Sequence, residues 1–250
     1  MPHSPIRNRI LSHLAPADLD RLRGHLTRVA LVLRQRIETP NKPITHVLFV
    51  EQGIISVVAT GPRRLTIEVG VIGFEGFTGV PVVLGGDRSP LDTYVQVAGE
   101  GLSIPVDAFR AAMLESPALV TVLNCHSQIF MTQIAQTALA NGRAKLEERL
   151  ARWLLMAQDR METGELFLTH EFLALMLAVR RPGVTVALSL LQGQGLVKVL
   201  RGAIVIVDRE GLETVADKFY GVPEAELKRL LGEEKSNGFM TTFSSIPYAN

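Results

Sequence analysis

Apolar and polar positions alternate in two regimes along this chain. From Val29 to about Pro105, short apolar runs at 47–50, 54–60, 65–71, 94–98 and 102–104 are separated by turn residues. The separators include Pro40-Asn41-Lys42-Pro43, Gln52-Gly53, Gly61-Pro62, Gly85-Gly86-Asp87 and Gly99-Glu100-Gly101. Many short strands with frequent turns predict an antiparallel sandwich, jelly roll or barrel, and periodicity alone leaves the choice open. Ahead of this region, Ile10, Leu11 and Leu14, then Leu19, Leu22 and Leu26, stand at helical spacing and predict two short helices.

After it the period changes to that of a helix. Residues 107–115 predict a short helix. Ser116 then caps a long one that starts at Pro117 and runs to Asn141-Gly142. Leu119, Val122, Leu123, Ile129, Phe130, Ile134 and Leu139 make this helix apolar on more than one side, so it needs a second partner. Cys125 is read as a small core residue and His126 as a polar residue of the same helix. A further helix begins at Leu146, with Leu150, Trp153 and Leu154 facing inward.

The stretch 168–197 predicts a helix, a tight turn and a second helix. Thr169 is the N-cap of the first, and Phe172, Leu173, Met176 and Leu177 face a core. The turn is Ala178-Val179-Arg180. Pro182 opens the second helix, in which Val184, Leu188 and Leu191 point inward. Arg181, Thr185, Val186 and Ser189 then lie on the outer face. Arginine and small side chains at the exposed start of a second helix suit major-groove reading, because Arg can donate two bonds to guanine and Thr or Val can touch a thymine methyl. Two short strands follow around Arg201-Gly202, a β-wing with Lys198, Arg201 and Arg209 placed to approach phosphates. Protein contact is the competing use of such a helix pair. Residues 211–220 predict a helix, and Pro223 starts another with Leu227, Leu230 and Leu231. The polar remainder, to Asn250, is expected to be disordered.

Composition narrows the chemistry. The 250 residues carry a formal net charge of +1, so attraction to nucleic acid must be local. Five basic against two acidic residues between 168 and 209 supply a balance of +3. One cysteine excludes an intrachain disulfide framework and a four-cysteine iron–sulfur cluster, and fits a reducing cytoplasm. The six histidines include no two at metal-ligand spacing, so no metal or cofactor is expected. No Ser-His-Asp set, Walker loop or dinucleotide fingerprint is present, and an enzyme is not expected. No 18-residue apolar run predicts a membrane span, and the first residues lack the apolar core of a signal peptide.

The helix–turn–helix and wing, with EERLARWLLMAQDR upstream and RGAIVIVDREGLE downstream, resemble the CRP/FNR family of bacterial transcription regulators. The resemblance runs from about Leu11 to about Tyr220. It implies an α+β chain: an N-terminal antiparallel jelly-roll sensor of the cyclic-nucleotide-binding type (1–115), a dimerisation helix (116–142), a winged helix-turn-helix (143–220) and a terminal segment (221–250). It further implies a cytoplasmic homodimer bound to a two-fold symmetric DNA operator, with RNA polymerase as another partner. Candidate DNA contacts are Thr169, Arg180, Arg181, Pro182, Thr185, Val186, Ser189, Lys198 and Arg201. Ala178 stands where the family often has Gly. Of the base-reading residues of the cyclic-AMP receptor protein only Arg181 is matched, Pro182 and Val186 standing at the other positions.

For a small-molecule effector the resemblance points to Glu75 and the pair Arg88-Ser89. An arginine on a Gly-rich loop suits an anion. Ile134-Ala135 stands where the cyclic-AMP receptor holds adenine with hydroxyl groups, and these side chains offer no such bonds. The expectation is therefore an effector other than cyclic AMP, or none.

Overall fold

The structure, a computed structural model, describes residues 6–62, 65–161 and 165–232. The tail read as disordered, 233–250, lies outside the described residues. Helices α1 (Arg9–Ser12) and α2 (Pro16–Arg23) lead into strands β1 (Thr27–Leu31), β2 (Arg36–Glu38), β3 (His46–Thr60) and β4 (Thr66–Ile72). The short helix α3 (Val80–Val83) precedes β5 (Asp92–Pro105). The strands make one antiparallel sheet in the order β1-β5-β3-β4, with β2 also on β5.

The apolar runs at 47–50 and 54–60 form one strand, as do those at 94–98 and 102–104. The separators expected to turn the chain are bulges instead. The β3–β5 register shifts between Val50 and Gln52 and again between Gln52 and Ile54. Gly53 has φ +95°, and a Cβ at Gly99 would lie 2.1 Å from the Gln52 carbonyl oxygen. Glycine here permits close backbone approach inside a strand, which bends it and aids closure of the sensor.

Phe49, Phe77 and Phe109 are fully buried, with ring centroids 5.7–6.5 Å apart. Helix α4 (Val106–Glu115) supplies Phe109, and α5 (Pro117–Arg143) lays Leu119 and Leu123 on the same core. The Ser116 hydroxyl accepts from the Leu119 N–H at 3.0 Å, the predicted cap. His126 and Cys125 exchange the places expected of them. Cys125 is half-buried, whereas His126 is 3 % exposed, with its ring 4.6 Å from Phe77 and 6.3 Å from Phe130. Burial, with the nearby Arg160 charge, pushes the His126 pKa down to about 3, so the ring is neutral. Gly76 makes room for it, since a Cβ there would sit 2.2 Å from Nε2.

The C-terminal part contains α6 (Leu146–Gln158), β6 (Glu165–Leu166), α7 (His170–Met176), α8 (Arg181–Gly193), β7 (Val197–Leu200), β8 (Ala203–Ile206) and α9 (Arg209–Ala216). Its three strands order as β6-β8-β7. Trp153, Leu154, Leu173, Val184, Leu188 and Leu191 share one core, which also takes in Ile54 and Val71 of the sensor sheet. Two buried acids of the sensor reach across this contact. Glu68 accepts from the Trp153 indole N–H at 2.6 Å and from the Ser56 hydroxyl. Glu75 accepts from Arg160 Nε at 2.7 Å.

Helix α10 (Val222–Leu231) does not extend away from the winged helix. Its Leu227, Leu230 and Leu231 join the sensor core beside Leu11 and Leu123, because an apolar face of this size needs burial.

Candidate nucleic-acid interface

The helix pair is built from local rules. The Thr169 hydroxyl accepts from the Phe172 N–H at 3.2 Å and caps α7. Leu173, Ala174 and Met176 are buried. The chain then bends by 106° into α8, the crossing expected of a helix-turn-helix. Ala178 carries the bend at φ +50°, a left-handed conformation that costs a non-glycine residue about 1–2 kcal/mol. The exchange of turn bonds holds it there: Ala178 N–H donates to the Leu175 carbonyl at 3.2 Å and Val179 N–H to the Ala174 carbonyl at 2.9 Å. Arg149 donates to the Leu177 carbonyl, one of the α7 C-terminal carbonyls that lack helical partners.

In α8, Val184, Ala187, Leu188 and Leu191 are buried. Arg181, Pro182, Thr185, Val186 and Ser189 are exposed on the opposite side, with Arg180 at the N-cap. The Thr185 hydroxyl donates to the Arg181 carbonyl at 3.2 Å and lies 3.0 Å from His170 Nδ1. His170 was missed in the sequence reading. Its signal is position: the first residue of α7 faces the first turn of α8 when the pair crosses.

The wing follows at once. Gln192 Oε1 accepts from the Val199 N–H at 2.9 Å, fixing β7 to α8. Gly202 turns the hairpin at φ +79°. Lys198 and Arg201 are exposed, and so is Thr169 at the start of α7. Arg209 departs from expectation. It donates to Gln158, Asp159, Glu213 and the Tyr220 hydroxyl at 2.7–2.9 Å. Its charge is spent inside the domain, with Asp159 and Glu213 as counter-ions. The acids that claim it lie outside the stretch whose charge was tallied, so spacing could not reveal them. The exposed cations of this surface are Arg180, Arg181, Lys198 and Arg201.

The three effector candidates each have partners within the chain. Glu75 is buried, with its carboxylate taken by Arg160 and by the Gly73 N–H at 3.1–3.2 Å. Arg88 is exposed and paired with Asp87 at 2.7 Å. That pairing draws the Asp87 pKa below its ordinary range. Ser89 is buried and its hydroxyl accepts from the Leu91 N–H at 3.0 Å.

Residues 148–215 match the family model of the Crp-like helix-turn-helix domain. No curated protein matches the chain significantly. Solved structures share the fold over most of the chain at low identity. A protein of Eubacterium rectale assigned to the crp/fnr family of transcriptional regulators is 21% identical, with a TM-score of 0.64 over 83% of this chain and 97% of its own. FixK2 of Bradyrhizobium japonicum is 16% identical, with a TM-score of 0.65 over 77% of this chain and 98% of its own. A CRP-family transcriptional regulator of Thermus thermophilus is 17% identical, with a TM-score of 0.62 over 75% and 96%. Residues 148–215 are thus a Crp-like helix-turn-helix domain, and the chain carries it on the fold that these regulators share.

Proposed function

We propose that the protein binds a two-fold symmetric DNA operator as a homodimer, one α8 per major groove. The observation that carries the reading is the single exposed face of α8, where Arg181, Thr185, Val186 and Ser189 stand clear of the core with Arg180 beside them. Arg181 reads a base. Arg180, Thr185 and Ser189 position the helix or add base contacts, while Pro182 and Val186 meet apolar base edges. Thr169, Lys198 and Arg201 contact the backbone, so affinity falls with salt through counterion release.

Helix α5 supports the dimer. Residues 117–142 contain no Asp, Glu, Lys or Arg. Thr121, Asn124, Gln128, Met131, Ala135 and Ala138 are exposed at alternating spacings of three and four, the spacing of a seam between paired helices, with small and uncharged polar side chains. A solvent face of a soluble helix is ordinarily charged, and this one is neutral over about 40 Å. The units are then the sensor (1–115), the dimerisation helix (116–142), the reader (143–220) and a terminal segment (221–250) whose helix packs back on the sensor. Action on DNA places the protein in the cytoplasm, with RNA polymerase as a further partner and a small molecule as effector. Its role is regulatory, not catalytic.

A second reading has one observation in its favour. Val186 and Leu190 are 60% and 51% exposed on α8, an apolar pair that suits a protein partner. Selection of bound sequences from a random DNA pool separates the two. An enriched inverted repeat with half-sites about one helical turn apart supports the operator reading. Failure to enrich any sequence, with and without candidate effectors, favours protein contact.

A further inference from the structure

The sensor carries an open cleft of about 360 Å³ that none of the effector candidates lines. Its size is that of a small-molecule site. Leu31, Ile37, Ile44 and Leu48 give it apolar walls, and Ser103 adds a hydroxyl. The walls are tied down. Arg34 N–H donates to the Val95 carbonyl, Asn41 N–H to the Ser89 carbonyl and Ile44 N–H to the Asp87 carbonyl, all at 2.7–2.8 Å. Arg34 and Asn41 hold φ of +66° and +61° on either side of β2, so the bends of the chain around the cleft are set by the backbone.

Three charged side chains other than histidine line it: Arg36, Glu38 and Lys42. Arg36 is paired with Asp92 at 2.7 Å. Glu38 is buried and accepts from the Gly79 N–H at 2.7 Å and the Thr93 hydroxyl at 3.2 Å. Lys42 is exposed and makes no ion pair among the described residues. The uncommitted charge among the side chains that line the cleft is therefore positive, with the His46 ring also in the lining. We propose that this cleft between β1, β2, β3 and the 39–45 loop is the effector site, and that it takes a small amphipathic anion whose negative group meets Lys42 and whose apolar body lies against Leu31, Ile37, Ile44 and Leu48.

This inference rests on the sensor part of the proposed function and leaves its DNA part aside. The Asp87–Ser89 loop that hydrogen-bonds the cleft wall links an occupied site to the rest of the sensor. The test uses the full chain without DNA, so its outcome is separate from that of operator selection. Isothermal titration with sodium octanoate, an apolar chain bearing one carboxylate, is expected to show saturable binding at one site per subunit. Octanol, the neutral counterpart, should bind at least about tenfold more weakly, as should octanoate to Lys42→Met, since one charge-assisted bond is lost. Lys42→Arg should restore binding, and Lys218→Met, away from the cleft, should leave it unchanged. Absence of saturable binding, equal binding of octanol, or full octanoate binding by Lys42→Met would each overturn the assignment.

Discussion

Arg160 and Glu75 form an ion pair at 2.7 Å that is buried on both sides and joins the chain just after α6 to the loop just after β4. Arg160 also donates to the Met156 carbonyl, and its side chain packs where a Cβ on Gly73 would stand. Sensor and reader are thus fastened by charge as well as by the apolar contact of Ile54 and Val71.

Removing one partner of such a pair leaves the other buried and uncompensated. Arg160→Met should destabilise the protein by about 3–5 kcal/mol, while Glu75→Gln combined with Arg160→Met should cost clearly less than the sum of the single changes. Urea unfolding of the three variants checks this. Additive costs would show that the two side chains act independently.

Glu68 makes the same contact sensitive to pH. Burial raises its pKa to about 7 against the donors Ser56 and Trp153. A carboxyl with a folded pKa above its unfolded value binds more protons when folded. Its contribution is fully present below the ordinary carboxylate pKa and is lost as pH rises through about 7. The loss is on the order of 3 kcal/mol. Glu68→Gln keeps an acceptor for Trp153 and should remove this slope. Stability measured at pH 5 and pH 8 should fall more for the parent protein than for the variant. Equal falls would refute the assignment. His126 works in the opposite direction, since its depressed pKa gives stability that is lost as pH drops below about 6.5 toward 3.

Ala178 stores strain at the turn. It is exposed, so Ala178→Gly removes no packing. Relief of the left-handed strain, less the greater freedom of glycine in the unfolded chain, predicts a gain of about 0.5–1 kcal/mol. Thermal unfolding should show a higher midpoint, and a lower one would mean that the turn does not hold the φ described.

The neutral seam of α5 predicts the oligomeric state. Ala135→Glu puts like charges against each other across a paired helix and should shift sedimentation from dimer to monomer at micromolar protein. A parent protein that sediments as a monomer, or a variant that stays dimeric, would remove α5 as the interface.

The helix pair was legible because every rule that builds it is local. Thr169 caps, Pro182 opens the second helix, and the 3.6-residue period assigns Val184 and Leu188 to one face and Arg181 and Thr185 to the other. Long-range facts were not legible. Gly53 and Gly99 carry the same signal whether they turn a chain or bulge a strand, and only the partner strand decides. Glu75 and Arg209 look like ligand-binding charges until Arg160 and Asp159 are placed beside them, from 85 and 50 residues away. His126 reads as polar, yet Gly76 and two phenylalanines enclose it. The Lys42 cleft has no sequence signature, since its lining comes from strands and a loop that meet only in the fold.

Base reading by α8 is tested by comparing the parent protein with Arg181→Ala on a DNA pool enriched by the parent, scoring preference at each position of the site. Discrimination should be lost at one position per half-site, by about 1–3 kcal/mol, and kept elsewhere. Weakening that is uniform across all sequences would contradict base reading and make Arg181 a phosphate contact.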